Sequence, residues 1–373
     1  ATDDGIHLVL SIDGVGYGYT LATNVLATLP LTGPQTFGRV AYLDGRILTN
    51  EPNTARFWYS DILAATTWPP LSFYAAEGRP DPLLTLFVDH REIYLCGSQS
   101  IEIWGPTGDA LTPFTRNQSV FIEQGMAAPA AVVASNNTFY WLGGSARGQG
   151  PVWRLNGYTP QRVSTEAIET AMGAMPTVGD CVAFAVSKGG HSWIGFHYPT
   201  GNQTWLLDTN LGSWTELVDL AEDGSLDAFR CYTHAFSAGE HVWGDRTTGD
   251  VYLWAEDWYQ YGSDPIYRER MTSHLRNDQQ PVIYSKFELV METGIGLDGG
   301  MVPGADPKIM LSWSDDGGKS WSYPVWASAG KIGSGTQRVV FRRLGRAPTT
   351  RCFKVVCTDP VKTAWLGASV EVH

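Results

Sequence analysis

Short apolar strands separated by two-residue polar turns recur along the first two thirds of the chain. The stretch RVAYLDGRILTN (39–50) turns at Asp44-Gly45, and LTLFVDHREIYLCG (84–97) is expected to turn at Asp89-His90. The same unit returns in AAVVASNNTFYWLG (turn at Asn136-Asn137), CVAFAVSKGGHSWIGFH (Gly189-Gly190) and THAFSAGEHVWG (expected at Gly239-Glu240). Each has an apolar strand, a turn of Asp, Asn or Gly, and a second strand bearing aromatics, which is the pattern of a tight hairpin. A further strand pair tends to follow, as in SIEIWGPTG, PVWRLNG, QTWLLDTNLGSWTEL and GDVYLWAED. Turns at 44, 89, 136, 189 and 239 lie about 50 residues apart, and four strands per such period make a β-propeller blade. Five blades are clear. HLVLSIDGVGYGYT, with Asp13 only 31 residues before Asp44, is a less regular first unit, and the chain ends complete a sixth or seventh.

The pattern changes near residue 262. YGSDPIYRERMTSHLRNDQQ is charged and reads as an extended crossing segment. After it, KFELVMETG, KIMLSWSDDGGKSWSYPVWAS, GTQRVVFRRLG, RCFKVVCTD and AWLGASVEV alternate as antiparallel strands do. The expected fold is therefore all-β, a propeller over 1–262 and an antiparallel sheet or sandwich over 263–373. One helix is predicted in VSTEAIETAMGAM, with Ser164 or Thr165 as cap and Glu166 and Glu169 in its first turns.

Composition agrees with many short strands and tight turns, since 45 aromatic residues accompany 41 Gly and 21 Pro. No run is long and apolar enough for a membrane helix, so membrane insertion is not expected. No basic-then-apolar leader is visible, and a chain starting at Ala1 leaves a removed one open. The five cysteines (96, 181, 231, 352, 357) are scattered and odd in number, which favours buried free thiols over a disulfide framework or zinc site. A net charge of −12 makes the chain a poor static binder of DNA phosphates, although it suits a conduit through which DNA passes unheld.

The stretch SWSDDGGKSW (312–321) fits the Asp-box pattern S-x-D-x-G-x-[ST]-W through Ser314, Asp316, Gly318, Ser320 and Trp321. Folding accounts for every position. Gly317 and Gly318 accept positive φ, the Asp316 carboxylate can take backbone N–H bonds within the turn, and Trp321 can pack beneath it. The alternative is a glycan-binding or sialidase-like propeller. A sialidase needs an arginine clamp, a Tyr–Glu nucleophile and an Asp acid/base, and it repeats the box blade by blade. Here the box occurs once, outside the blades, and Arg342, Arg343 and Arg346 crowd one strand.

Other chemistry is weakly signalled. His191 and His197, and His234 and His241, lack metal-ligand spacing and read as satisfied or exposed side chains. Asp315 and Asp316, adjacent in a strand, point to opposite faces and make a poor calcium pair. DGVGYGYT lacks the Gly-Lys-Ser/Thr and helix of a phosphate loop, and no G-x-S-x-G is present. The sequons at Asn117, Asn136 and Asn202 matter only in a secreted eukaryotic protein. No catalytic residue, metal or cofactor is expected.

Several segments together resemble the tail nozzle proteins of short-tailed bacteriophages, also called packaged-DNA stabilisation or tail accessory proteins. They are YLDGRILTNEPNTARFWYSDI, FYAAEGRPDPLLTL, CGSQSIEIWGPTGD, VWRLNGYTPQRVSTEAIE, WSDDGGKSWS and VVFRRLGRAPTTRCFKVVCTDPVKTAWLGASVEV, in the family's order over about 40–372. The resemblance implies a virion structural protein, assembled in the host bacterial cytoplasm and forming a hexameric ring below the portal–adaptor complex. Such a ring lines or closes the channel through which double-stranded DNA leaves, holds or meets a plug, and helps attach fibres or spikes. It carries no catalytic residues.

Overall fold

The computed structural model describes all of residues 1–373 except 31, 146, 147, 279, 300 and 301, together with the side chains of 145, 148 and 149. The chain divides into two compact units, one of Ala1–Leu217 with Ala228–Tyr252 and one of Val218–Asp227 with Leu253–His373.

The first unit is a succession of six small antiparallel sheets. Their first strands are Thr2–Asp3, Val40–Leu43, Leu83–Asp89, Val132–Ser135, Val182–Lys188 and Cys231–Ser237. Within the sheets the strands follow sequence order edge to edge, apart from Gly125–Met126, which pairs beside Val132–Ser135 on Thr138–Ser145. Successive first strands pack on one another, except between the third and fourth sheets, where Glu92–Gly97 meets Gly125–Met126, and the apolar core lies between neighbouring sheets rather than inside any one. Val9, Phe37, Ile47 and Trp68 fill the space between the first two sheets. Leu48, Phe57, Leu86 and Ile93 fill the next, and Phe87, Tyr94, Phe139 and Trp141 the third. Met172, Cys181, Ile194 and Phe196 close the gap between the fourth and fifth. This is the propeller pattern, and the irregular first unit around Asp13 supplies one of the six sheets.

The opening hairpins of the second to sixth sheets, and the second hairpin of the first, use two consecutive residues at positive φ. They are Asp13-Gly14, Asp44-Gly45, His90-Arg91, Asn136-Asn137, Gly189-Gly190 and Ala238-Gly239. Two of the expected turns are thus displaced by one residue. Asp89 ends a strand and Glu240 begins one, because cross-strand register puts His90-Arg91 and Ala238-Gly239 between paired residues. The right-handed twist of the strands demands this turn even where Arg91 and Ala238 must adopt it.

The helix is Glu166–Gly173, capped by the Thr165 hydroxyl, which accepts from the Ile168 amide. Ser164 instead accepts from the Val152 amide and donates to Glu169, whose carboxylate Arg162 also grips at 2.6 Å. All five cysteines are free and buried.

The second unit stacks two sheets. One orders Arg268–Met271, Thr350–Cys357, Lys308–Ser314 and Val325–Ser328, with Leu275–Arg276 also on Thr350–Cys357. The other orders Val339–Ala347, Val282–Met291 and Trp365–Val372. Tyr284, Phe287, Ile309, Phe341 and Phe353 interdigitate between them. The charged segment after 262 therefore does more than cross, since two of its stretches supply edge strands to this sandwich; its Gln279 lies outside the described residues.

Candidate functional site

On one end of the first unit, the turns that open successive sheets bond to one another. The Arg91 guanidinium donates to Asp44 Oδ2 at 2.6 Å, tying the third sheet's turn to the second's. His90 Nε2 lies 2.6 Å from Asn137 Oδ1 of the fourth, and Ser192 Oγ donates to Asn136 Oδ1 at 3.1 Å from the fifth. Between the fifth and sixth sheets the tie runs through histidine: His234 Nδ1 lies 2.7 Å from Ala185 O and its Nε2 2.9 Å from His241 Nδ1. Because a carbonyl only accepts, His234 Nδ1 carries the proton and Nε2 accepts from His241. Arg39, just before the second sheet's first strand, reaches Val132 O in the fourth sheet's first strand at 3.4 Å. It is solvent-accessible, yet the protein crowding around it pulls its pKa down.

The histidines expected to be satisfied are partnered in this way. His191 pairs with Asp208 at 2.9 Å, and His197, fully buried, bonds Thr204 Oγ1 at 2.7 Å. Burial, with Arg246 nearby, pushes His197 down to about 4. The buried acids are occupied by local structure. Asp81 accepts from the Ser98, Gln99 and Ser100 amides and from two serine hydroxyls. Glu102 takes the Gly78 amide, Trp104 Nε1 and Arg116, and Glu51 takes the Gln35 amide and Trp58 Nε1. Sequence reasoning did not single these three out, since an acid that holds a loop has no spacing signature. No group of three or more metal-ligating side chains occurs among the described residues.

The Asp-box runs from Ser314, the last residue of Lys308–Ser314, into the hairpin that follows. Asp316 Oδ1 accepts from Ser314 Oγ at 2.7 Å and from the Lys319 and Ser320 amides at 3.0 Å each. Its Oδ2 accepts from Ser320 Oγ at 2.6 Å, and Ser314 Oγ accepts from the Gly318 amide at 2.8 Å. These bonds, led by those from Ser320, hold the Asp316 carboxyl well below the usual carboxylate range. Gly317 and Gly318 sit at φ 81° and 93°, and Trp321 is roofed by the Lys354 ammonium 4.3 Å from its ring centre. The neighbouring Asp315 turns the other way and receives both arms of Arg351, at 2.6 and 2.7 Å. Arg351 is 1% exposed, donates also to Leu344 O at 2.7 Å, and lies over the rings of Tyr284 and Trp313. This buried arginine, which no sequence motif marks, joins the box hairpin to both sheets of the sandwich.

Arg342, Arg343 and Arg346 all sit on Val339–Ala347. Arg342 faces Lys286 and Arg346 faces Ile283 across the strand pair. All three are exposed, and among the described residues their side chains make no hydrogen bond or ion pair, although the charge of Arg342 reaches Glu288 and Glu371.

No curated protein matches the sequence. Among solved structures, the mitotic checkpoint complex shares 15% identity over 68% of this chain and 74% of that one, with a TM-score of 0.42. Dihydro-heme d1 dehydrogenase NirN shares 10% identity over 92% and 66%, at 0.44. Kluyveromyces lactis Hsv2 shares 12% over 65% and 69%, at 0.38. Likenesses of this size carry no argument about function. Family models speak directly to both units: bacteriophage P22 Gp10, beta-propeller, matches residues 15–258, and bacteriophage P22 Gp10, beta-sandwich, matches residues 267–373. With the propeller and the sandwich matched in order along nearly the whole chain, this protein belongs to the bacteriophage P22 Gp10 family of structural phage proteins that stabilise packaged DNA.

Proposed function

We propose that the chain is a non-enzymatic subunit of a ring, six copies around, that lines or closes the DNA exit channel of a short phage tail below the portal–adaptor complex. The match of both units to one structural phage family is the observation that carries this reading. The tied turns support it, because a subunit pressed between neighbours and a DNA column needs sheets that do not slide. A net charge of −12 per copy supports it too, since an acidic lumen lets double-stranded DNA pass without specific binding. In this reading the outer loops meet adaptor-side proteins and fibres, spikes or a plug, and the protein resides in the virion. The domains run 1–262 and 263–373. Ser314, Asp316, Gly318, Ser320 and Trp321 form a hairpin lock with no substrate of their own.

Native mass measurement of the purified protein, alone and with an adaptor ring, tests the assembly. A closed ring of six that binds the adaptor is expected. A chain that stays monomeric in every mixture and is absent from virions would overturn the reading.

A further inference from the structure

The chain's charge is divided unevenly. Residues 1–262 carry 12 Lys and Arg against 27 Asp and Glu, and residues 263–373 carry 14 against 11, so −12 splits into −15 and +3. Two copies meeting propeller to propeller repel, whereas propeller to sandwich attracts. Electrostatics thus favours propeller-to-sandwich contacts, and when such contacts run head to tail they can close into a ring.

The sandwich shows where its side of that contact lies. Most arginines with a carboxylate in reach are paired: Arg56 with Glu51, Arg91 with Asp44, Arg116 with Glu102, Arg162 with Glu169, Arg338 with Glu288 and Arg351 with Asp315. On the strand Val339–Ala347, Phe341, Leu344 and Ala347 point into the core, and the irregularity at Arg343 (φ 61°) leaves Arg342, Arg343 and Arg346 all exposed, with no side-chain hydrogen bond or ion pair among the described residues, in a chain with an excess of acids. Val282, Tyr284, Leu289 and Met291 point into the core, so the alternation of that strand turns Ile283 and Val290 outward. Those two are 51% and 49% exposed, and they give this basic sheet face an apolar element. The nearby acids are already engaged, Glu371 by Lys286 at 3.1 Å and Glu288 by Arg338 at 2.6 Å, so Arg342 adds its charge to theirs without an ion pair of its own. A face mixing free guanidinium groups with aliphatic side chains fits a folded acidic surface better than a phosphate backbone, which gains nothing from Ile283 or Val290.

We propose that the outer face of the sheet Val339–Ala347, Val282–Met291 and Trp365–Val372 docks through Arg342, Arg343 and Arg346 on the acidic propeller of a second copy of this chain. The inference rests on the ring reading and names the surfaces that close the ring.

The test compares the wild-type full chain with Arg342→Glu/Arg343→Glu/Arg346→Glu and with the milder Arg→Gln triple, by sedimentation across a salt series. Zero-length carbodiimide cross-linking of the wild type runs alongside. The wild type is expected to assemble at low salt and loosen as salt rises, and the Glu triple to associate about a hundredfold more weakly with unchanged melting. Intermolecular cross-links should join Lys286, on the proposed face beside Arg342, to propeller carboxylates. If the wild type assembles, and the triples assemble equally or the cross-links run propeller to propeller, this inference falls and the ring reading stands. A wild type that never assembles removes both. Binding of a short DNA duplex that needs the three arginines, with assembly unaffected by their loss, also overturns the inference in favour of a polyanion site. The cross-links require no variant, so a misfolded triple leaves the question decidable.

Discussion

The first unit spreads its stability over separate apolar clusters, one between each pair of neighbouring sheets through the fifth. The second gathers its strands round one cluster and one buried arginine. In a serial arrangement, damage to one gap loosens two sheets and leaves the rest standing. In the sandwich, Arg351 touches the box hairpin, the Leu344 carbonyl and the rings of both sheets, so its loss is felt throughout. The repeated half tolerates local injury, and the unrepeated half concentrates its risk.

The largest break in that contrast should come from Arg351→Ala. It strands Asp315 and the Leu344 carbonyl and empties the space beside Tyr284, at a cost of about 3–5 kcal/mol. Calorimetry should show the sandwich transition falling steeply. Hydrogen exchange in the first unit should stay as in the wild type. Arg351→Lys should rescue little, because an ammonium cannot fork across both Asp315 oxygens. Equal loosening of both units would contradict the division of labour.

Acid should reverse the order of sensitivity. His197, pushed down to about 4, and His234, lowered by burial ahead of any other cause, both prefer to be neutral in the fold. A base with a depressed folded pKa takes up protons more readily when unfolded. Its contribution is therefore full above the ordinary histidine value near 6.5 and is lost as pH falls toward 4. Together with the broken His234–His241 bond, this should weaken the fifth and sixth sheets by about 2–3 kcal/mol across that window. Asp316 is held far lower, so the box keeps its bonds throughout the same range. Exchange rates measured at pH 7 and pH 4.5 should rise in strands 182–198 and 231–245 and hold steady in the box. His197→Gln should flatten the response of the fifth sheet. A box that loosens first would refute the assignment.

How far the sequence disclosed this contrast depends on how local the cause was. Asp44-Gly45, Asn136-Asn137 and Gly189-Gly190 announce their turns because their own residues favour positive φ. Arg91 and Ala238 do not, and strand pairing imposes the conformation on them, so the local residues point to a turn one position away. The box was legible for the same reason as the first three turns. Arg351 was not, since an arginine alternating with Cys352 and Phe353 in TTRCFKV looks like any edge residue until Asp315, 36 positions away, comes to meet it. The His234–His241 pair was seen as spacing. Its bond to the fifth sheet required the neighbouring strand.

Asp316→Ala sharpens the sandwich side at a smaller scale. It removes four bonds at an exposed turn, where water replaces much of what is lost, so a modest drop in the sandwich transition is expected. The first unit's transition should not move. Asp316→Asn, which keeps one acceptor oxygen, should fall between. A melting curve identical to wild type would remove the box from any role as a lock.

The finest effect tests whether the tied turns matter individually or only as a series. Asp44 and Arg91 are largely exposed, so their pair should contribute about 0.2–1 kcal/mol in a double-mutant cycle and fade with salt. Asn137→Ala removes the next tie along and shares no partner with the first. If the ties are independent, the losses from Arg91→Ala and Asn137→Ala should simply add. If they act as one belt, the second loss should be smaller than the first, because a sheet freed on one side has less to lose on the other. Additivity beyond the error of the cycle would reduce the belt to a set of ordinary surface contacts and leave the inter-sheet clusters as the sole source of the propeller's rigidity.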